Sequence, residues 1–308
     1  MSLTTLPAWA WIPLVVWAAF AQTIRNAAQR SLTAGVGTLA ATLARFLYGL
    51  PFALLFLLGL VALGGAPTGL PPVTPSYFAW LTLGAVTQLC ATALLLMAMK
   101  ERNFIVAVIF SKTEVLQVAL FGAVFLHELP TLMAVAAMLL ATAGVFLLSR
   151  PKGGQALAPD GLRNKVVLYG LGSGACFALS AVGFRGAALQ LPGYSPLLVG
   201  VWAVVWAQAL QSVLLGGYLA LRQPSALVAV AKAWRLSLLA GMMGAAASIG
   251  WFTAGAMRPV ADVRTLGLIE VLFSYLVSRR LFKEKLSRAE RLGLLLVLVG
   301  LVMVCAQL

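Results

Sequence analysis

Ten apolar blocks, each about as long as a helix that crosses a bilayer, fill the chain almost end to end. They run near Ala8–Ala28, Gly37–Leu63, Ser76–Met99, Phe104–Leu126, Thr131–Leu148, Val166–Leu189, Pro196–Leu221, Leu227–Met257, Pro259–Leu281 and Ala289–Ala306. A helix needs about 20 such residues to span hydrocarbon. Breakers separate the blocks: Gly64-Gly65-Ala66-Pro67, Pro71-Pro72, Pro130, Pro192-Gly193, Pro224 and the tight joint Arg258-Pro259. Short loops leave no room for a large soluble catalytic domain. Only 10% of the 308 residues are charged and 62% are apolar, against about 25% charged in ordinary soluble domains. That excludes a soluble enzyme, a disordered tail and a disulfide scaffold. The first block lacks a basic n-region and a small-residue cleavage site, so it reads as a span and not a signal peptide.

Lys and Arg number 22 against 8 acidic residues, a net charge of +14. On a soluble chain this would suggest nucleic acid. Here the basic residues sit in short clusters between blocks, so no nucleic-acid partner is expected and the charge speaks to orientation. The clusters follow spans 1, 3, 5, 7 and 9, beginning with Arg25 and Arg30. By the positive-inside rule those loops are cytoplasmic and both termini outside. Cys90, Cys176 and Cys305 lie within apolar stretches and form no CxxC pair. They read as packing residues, and no disulfide, metal or other cofactor is expected.

The longest polar stretch, residues 150–165, contains Pro151, Gly153, Gly154, Pro159 and Gly161. It reads as a flexible linker between residues 1–149 and 166–308. Sliding the second half onto the first by 156 positions places Glu114-Val115-Leu116 on Glu270-Val271-Leu272, Glu128 on Glu284, and Gly144 on Gly300. The chain has six glutamates, and four of them pair at this one offset. At an offset of 160, Ile24-Arg25-Asn26-Ala27-Ala28 also resembles Phe184-Arg185-Gly186-Ala187-Ala188. Five spans per copy is an odd number, so the second copy enters the membrane inverted. The expected fold is an all-α membrane protein of ten transmembrane helices arranged as two inverted five-helix repeats. Such repeats are a construction principle of secondary transporters, in which rocking of one copy exposes a central site to alternate sides. A duplication that only enlarged a scaffold is the competing reading.

Ionisable groups at bilayer depth are costly and mark functional candidates. Six stand inside the expected spans: Arg45, Lys112, Glu114, Asp262, Arg264 and Glu270. Three are basic and three acidic, a balance that mutual pairing could satisfy; Asp262 and Arg264 lie nearer a helix end, where an interfacial position is also open. Glu114 and Glu270 are equivalent by the repeat and fall near mid-span. Two such carboxylates can share a central hollow and hold a proton or an ammonium in one state and release it in another, since burial and nearby charge move a carboxylate's proton affinity in opposite senses. The alternative is a permanent ion pair for each, for instance with Arg45. Lys112 and Glu114 are two apart and point to different sides of a helix, which argues against a direct pair. Glu128 and Glu284 are expected to cap the following helix, and His127 to lie at the interface.

Gln88, Gln117, Gln208 and Gln211 lie inside spans and offer hydrogen bonds to substrate or to neighbouring helices. Trp17, Trp202, Trp206 and Trp251 lie away from block edges, where they either line an aromatic cavity or face lipid. Trp9, Trp11, Trp80 and Trp234 suit an interfacial belt. Small residues gather in spans 6 and 8, including Gly170, Gly172, Gly174, Gly241 and Gly244, and favour close helix approach.

The span count, the five-plus-five repeat and the spaced glutamates resemble the EamA-type exporters of the drug/metabolite transporter superfamily. Repeats of that family carry a Glu-Pro-Val-like triplet in the fourth helix and a Gly-Glu pair ending fourteen residues later. This chain has Glu114-Val115-Leu116 with His127-Glu128, and Glu270-Val271-Leu272 with Lys283-Glu284; the glutamate spacing is fourteen in both copies. Both copies lack the proline, which removes the reason to expect a kink there, and both replace the glycine. The resemblance implies cytoplasmic termini, opposite to the charge bias. It also implies outward movement of amino acids, metabolites or drugs across a bacterial inner membrane.

The expectation is an alternating-access secondary transporter, not an enzyme, exporting a small organic metabolite such as an amino acid or drug-like amphiphile. Its partners are that small molecule, the lipid bilayer and protons. Glu114 and Glu270 would couple protons or bind a cationic group, and Arg45 would pair with them or receive a carboxylate. Lys112, Arg264, Gln88, Trp17 and Trp251 complete the candidate set. A passive channel or lipid scramblase of the same architecture is the alternative. An intramembrane enzyme would need a catalytic dyad or a metal cluster, which one boundary histidine and scattered aspartates do not supply.

Overall fold

A computed structural model describes residues 6–100, 110–148, 165–273 and 287–307. Among the described residues the chain is helical and forms no strand. The helices are α1 (Trp11–Val36), α2 (Thr38–Leu47), α3 (Gly49–Ala62), α4 (Pro75–Lys100), α5 (Glu114–Leu126), α6 (Leu132–Leu148), α7 (Lys165–Leu189), α8 (Pro196–Arg222), α9 (Pro224–Lys232), α10 (Trp234–Met257), α11 (Val260–Leu266) and α12 (Arg288–Cys305). Five segments among them are long and apolar enough to cross a membrane: Thr38–Ala62, Pro75–Leu95, Val167–Leu189, Pro196–Arg222 and Trp234–Met257. Glu114–Leu126 and Leu132–Leu148 are shorter apolar helices. The chain is a multi-pass membrane protein.

Several boundaries differ from the expected blocks for identifiable reasons. α1 does not stop near Ala28 but continues to Val36, where Gly37 turns the chain at φ 83°, ψ 169°, a conformation open essentially to glycine alone. Arg25 and Arg30, counted above among loop charges, therefore belong to α1. The second block is two helices meeting at Tyr48. Pro51 has no N–H to give the Leu47 carbonyl, and its ring crowds that oxygen. The eighth block is two helices: its first residues belong to the separate short helix α9, which starts at Pro224, and the rest to α10. α8 starts with Pro196 behind Ser195, whose side chain accepts the Leu198 N–H at 3.3 Å, a standard start signal. Ser287 and Glu290 form a reciprocal capping box on α12, at 2.7 and 3.1 Å.

The helices fall into two compact units, each assembled from separate stretches of chain. The first comprises Met1–Val86 with Gly183–Pro259, and the second Thr87–Val182 with Val260–Leu308. α4 and α7 therefore each contribute to both. In the first unit α10 is the hub, packed by α1, α2, α3 and α8. Its glycines make that possible. A Cβ on Gly241 would lie 2.5 Å from the Tyr48 carbonyl carbon, and one on Gly250 would lie 2.9 Å from both Ala18 Cβ and the Leu14 oxygen.

In the second unit α6 lies along α12, and α5 along α11. A Cβ on Gly144 would stand 2.6 Å from the Gly293 oxygen, and one on Gly300 would stand 2.7 Å from the Ala137 oxygen. Ser173 Oγ donates to the Ala91 carbonyl at 2.9 Å and ties α7 to α4. Thr131 Oγ1 donates to Gln307 Oε1, joining the start of α6 to the end of the described chain.

His127 ends α5 in the left-handed conformation, φ 56°, ψ 25°, and is the positive-φ residue other than glycine among those described. The Glu128 N–H then reaches back to the Gly122 carbonyl at 3.1 Å, a seven-residue closure around the left-handed residue. A β-carbon in that conformation costs roughly 1 kcal/mol. His127→Gly should therefore raise the unfolding free energy by about 1 kcal/mol, measured by thermal or denaturant unfolding in detergent; an unchanged or lowered midpoint would contradict the strain. Glu128, expected as a helix cap, takes part in this ending through its backbone, and Glu284 lies outside the described residues.

Candidate functional site

Both repeat-equivalent glutamates stand immediately after a break in a helix. Residues 110–111 are helical, 112–113 form a turn, and α5 begins at Glu114. In the second copy α11 ends at Leu266, 267–268 form a turn, and helix resumes over 269–273. The breaks are tightened turns, with three-residue hydrogen bonds from Thr113 N to Phe110 O, Glu270 N to Gly267 O and Val271 N to Leu268 O, at 3.3, 3.1 and 2.9 Å. The missing prolines had removed the expectation of a kink, yet both spans are interrupted, just ahead of the glutamate instead of after it. Around the first break Thr113 Oγ1 donates to Phe110 O at 2.6 Å and accepts from Gln117 Nε2 at 2.9 Å, local bonds that compete with the helical ladder. Each break places its carboxylate in a first helical turn, where backbone N–H groups favour negative charge.

The carboxylates pair across the two copies. Arg264 of α11 reaches Glu114 Oε1 at 3.2 Å, and Lys112 reaches Glu270 Oε2 at 3.4 Å. Each cation belongs to the segment just before one break, and each carboxylate to the segment just after the other. All four groups lie in the second unit and are largely enclosed: 12% and 14% exposed for Glu270 and Glu114, 26% and 19% for Lys112 and Arg264. Arg264 is thus drawn into the site instead of an interface. Gly174 of α7 closes on the first break, where a Cβ would be 3.0 Å from Ser111 O and 3.3 Å from Glu114 N. Gln88 is buried on the part of α4 in the same unit.

Arg45, Trp17 and Trp251 belong to the first unit. Arg45 is buried at the end of α2 with its guanidinium 4.8 Å from the centre of the Phe46 ring. Arg25 of α1 is buried beside it: a Cβ on Gly244 would lie 3.1 Å from Arg45 Cγ and 3.4 Å from Arg25 Cδ. Arg25 Nη2 donates to Asn26 Oδ1 at 2.7 Å. One turn earlier, Gln22 Oε1 accepts from Trp251 Nε1 at 3.1 Å. Counting Arg25 as a loop charge hid it. Its signal was the spacing Arg25, Ala28, Leu32, which continues one buried helical face.

Trp17 is 48% exposed and lies against Phe20, with ring centres 6.1 Å apart. Trp11, expected in an interfacial belt, is instead fully buried, with Arg258 Cζ 5.6 Å from its ring centre. Gln211 Nε2 donates to the Ala85 carbonyl at 3.1 Å. Gln208 fills the slot opposite Gly49, where a Cβ would meet its Oε1 at 2.9 Å. Arg185, the counterpart of Arg25 at an offset of 160, donates to Gly255 O and Ala256 O at 2.8 and 3.0 Å, binding the last carbonyls of α10. No group of three or more potential metal ligands occurs among the described residues.

Residues 9–150 match the family model described as the EamA-like transporter family. No curated protein matches. Among solved structures, 24 chains match. One, described only as a crystal structure of a protein, is 17% identical with a TM-score of 0.68, over 96% of this chain and 99% of that chain. At that identity the likeness shows a shared fold.

Proposed function

Because residues 9–150 match the model of the EamA-like transporter family, we propose that this chain is a member of the drug/metabolite transporter superfamily and an alternating-access secondary transporter that exports a small organic metabolite, in exchange for or together with protons, across a bacterial inner membrane. Its ten spans form two inverted repeats, residues 1–149 and 166–308. The observation that carries this reading is the crossed ion pairing, Glu114 with Arg264 and Glu270 with Lys112. A duplicated carboxylate, set at a helix break in each copy and held by a cation of the other copy, is a device with two arrangements: paired internally, or released by a proton or by a substrate's own charge.

The packing supports the repeat as well. Gly144 lies on residue 293 and Gly300 on residue 137, and an offset of 156 interconverts these two contacts. A protein that only carried a bigger scaffold would have no need of charge at the duplicated position. Lys112 and Arg264 are then the internal counter-ions. Within the first unit Arg45, Trp17 and Trp251 are proposed to contact the substrate during its passage, and within the second Gln88.

The test is counterflow in liposomes holding the purified protein. Preloaded unlabelled amino acids or amphiphilic amines should drive saturable uptake of the labelled compound, accelerated at least tenfold over empty liposomes (about 1.4 kcal/mol per factor of ten). Flux that never saturates and shows no exchange would instead favour the passive channel or scramblase.

A further inference from the structure

All eight acidic residues of the chain fall outside the first unit. Its two stretches, Met1–Val86 and Gly183–Pro259, contain eight Lys and Arg and no Asp or Glu. Six of those cations are exposed or partly exposed, whereas Arg25 and Arg45 are buried, at 6% and 5% exposure. Burying a charge is costly unless opposite charge or hydrogen bonds compensate it. Within this unit there is no carboxylate side chain to do so. The unit offers neutral oxygens such as Asn26 Oδ1, which accepts from Arg25 Nε at 3.2 Å and from Nη2 at 2.7 Å.

Four helices bring further polar groups to the same level. α10 meets both arginine stems at Gly244, beside Arg45 Cγ and Arg25 Cδ. Four residues on from Arg45, a Cβ on Gly49 would meet Gln208 Oε1 at 2.9 Å and the Gly241 carbonyl at 3.0 Å. A Cβ on Gly216 would lie 3.7 Å from Leu43 Cδ1. α8 thus runs antiparallel to α2 and α3, with Gln208 opposite residue 49 and Gly216 opposite residue 43. Ser212 falls midway along α8, level with Arg45 and Phe46. Gln208 is 2% exposed, and Ser212 is also buried. Neither end of the Gln208 amide, nor Ser212 Oγ, has a hydrogen-bond partner among the described residues. A buried polar group left unsatisfied costs stability, and α8 carries two of them one turn apart.

We propose that Arg25, Arg45, Gln208 and Ser212 form a binding site for an organic carboxylate, so that the molecule carried is a carboxylic acid anion and not an amine. This rests on the transporter reading above and names its substrate class. A guanidinium presents paired N–H donors whose spacing matches the two oxygens of a carboxylate. Gln208 Nε2 and Ser212 Oγ add neutral donors. The ligand then brings the negative charge that the unit's own sequence lacks. A phosphate, with a charge of about −1.5 to −2 at neutral pH, costs more to strip of water in a site this enclosed.

Thermal unfolding of the full-length protein in detergent tests this with defined probes. Sodium benzoate and sodium succinate are compared with inorganic phosphate and 1,4-diaminobutane at neutral pH, with ionic strength matched by sodium chloride. The carboxylates should raise the unfolding midpoint saturably, as a ligand of the folded state does, and the phosphate and the diamine should not. Gln208→Leu removes an unsatisfied amide and should raise the midpoint of the ligand-free protein. It should at the same time weaken carboxylate binding about tenfold, the loss of one hydrogen bond to a charged group. A glutamine that only packed would not move the two in opposite directions. Arg45→Lys keeps the charge but loses the fork, and should also weaken binding about tenfold; size-exclusion chromatography checks that the variants fold. Carboxylates without effect, equal or greater protection by phosphate or the diamine, or unchanged carboxylate affinity in both variants would overturn the site. Carboxylate binding without any counterflow would instead remove the transporter reading and leave the site intact. Counterflow of amines without carboxylate binding would do the reverse.

Discussion

Glu270→Gln should lower proton-coupled transport in liposomes by about 10- to 100-fold, the span that 1–3 kcal/mol of coupling between two sites produces. Glutamine keeps the shape and the hydrogen bonding but cannot exchange a proton. The substitution also leaves the Lys112 ammonium without its carboxylate in a site where it is three-quarters enclosed. Breaking a fully buried pair costs about 3–5 kcal/mol; solvent reaches this lysine, so about 1–2 kcal/mol is expected here. Lost transport could then be blamed on instability, and a second substitution separates the two effects. Lys112→Met in the Glu270→Gln background removes the stranded charge. The double variant should recover the unfolding midpoint of the native protein and still fail to couple protons. Recovery of both stability and transport would mean that the pair is a structural fastener and nothing more. Glu114→Gln should also reduce transport, with a larger share of its effect in stability, because it unfastens α5 from α11.

Large and matched stability losses should come from Gly144→Val and Gly300→Val. Each places a branched side chain where a single Cβ already falls 2.6–2.7 Å from a backbone oxygen of the facing helix. Backbone cannot step aside as a flexible side chain can, so the cost lies at the upper end of overpacking, about 3 kcal/mol. The glycines are interchanged by the repeat, and the two variants should lose comparable stability, within about 1 kcal/mol of each other. A chevron or denaturant titration in mixed micelles reads this directly. A large effect at one position with none at the other would argue against the equivalence of the two copies.

The apolar blocks were legible because bilayer-length hydrophobicity is a strong, redundant signal. α4, α6, α7, α8 and α12 lie within a residue of their expected edges. Glu114 and Glu270 were legible because glutamate is rare here and an offset of 156 brings them into register. Lys112 and Arg264 were legible as candidates, but the pairing was not, since each cation comes from the opposite copy at a position the repeat does not predict. The breaks were not expected: Gly267 lies in one, but Lys112-Thr113 contains neither glycine nor proline and turns through local side-chain bonds. Arg25 was misplaced because a charge near the end of a 20-residue window reads as the end of a span. Only the buried face beyond it, at Ala28 and Leu32, shows that the helix goes on for another three turns. Trp11 looked interfacial from its place near a block edge, and a guanidinium over its ring holds it inside.

The discontinuous make-up of the two units sets an order on biosynthesis. The first unit has all its residues once Pro259 has left the ribosome, whereas the second still awaits Val260–Leu308. During that interval Glu114 is already in the nascent chain and Arg264, its eventual counter-ion, is not. A stop codon after residue 259 would therefore yield a polypeptide with one finished half and one carboxylate stranded in the lipid phase, a ready substrate for membrane quality-control proteases. Nor can the gene be split at its duplication point into two self-sufficient products, because neither half encodes a whole unit.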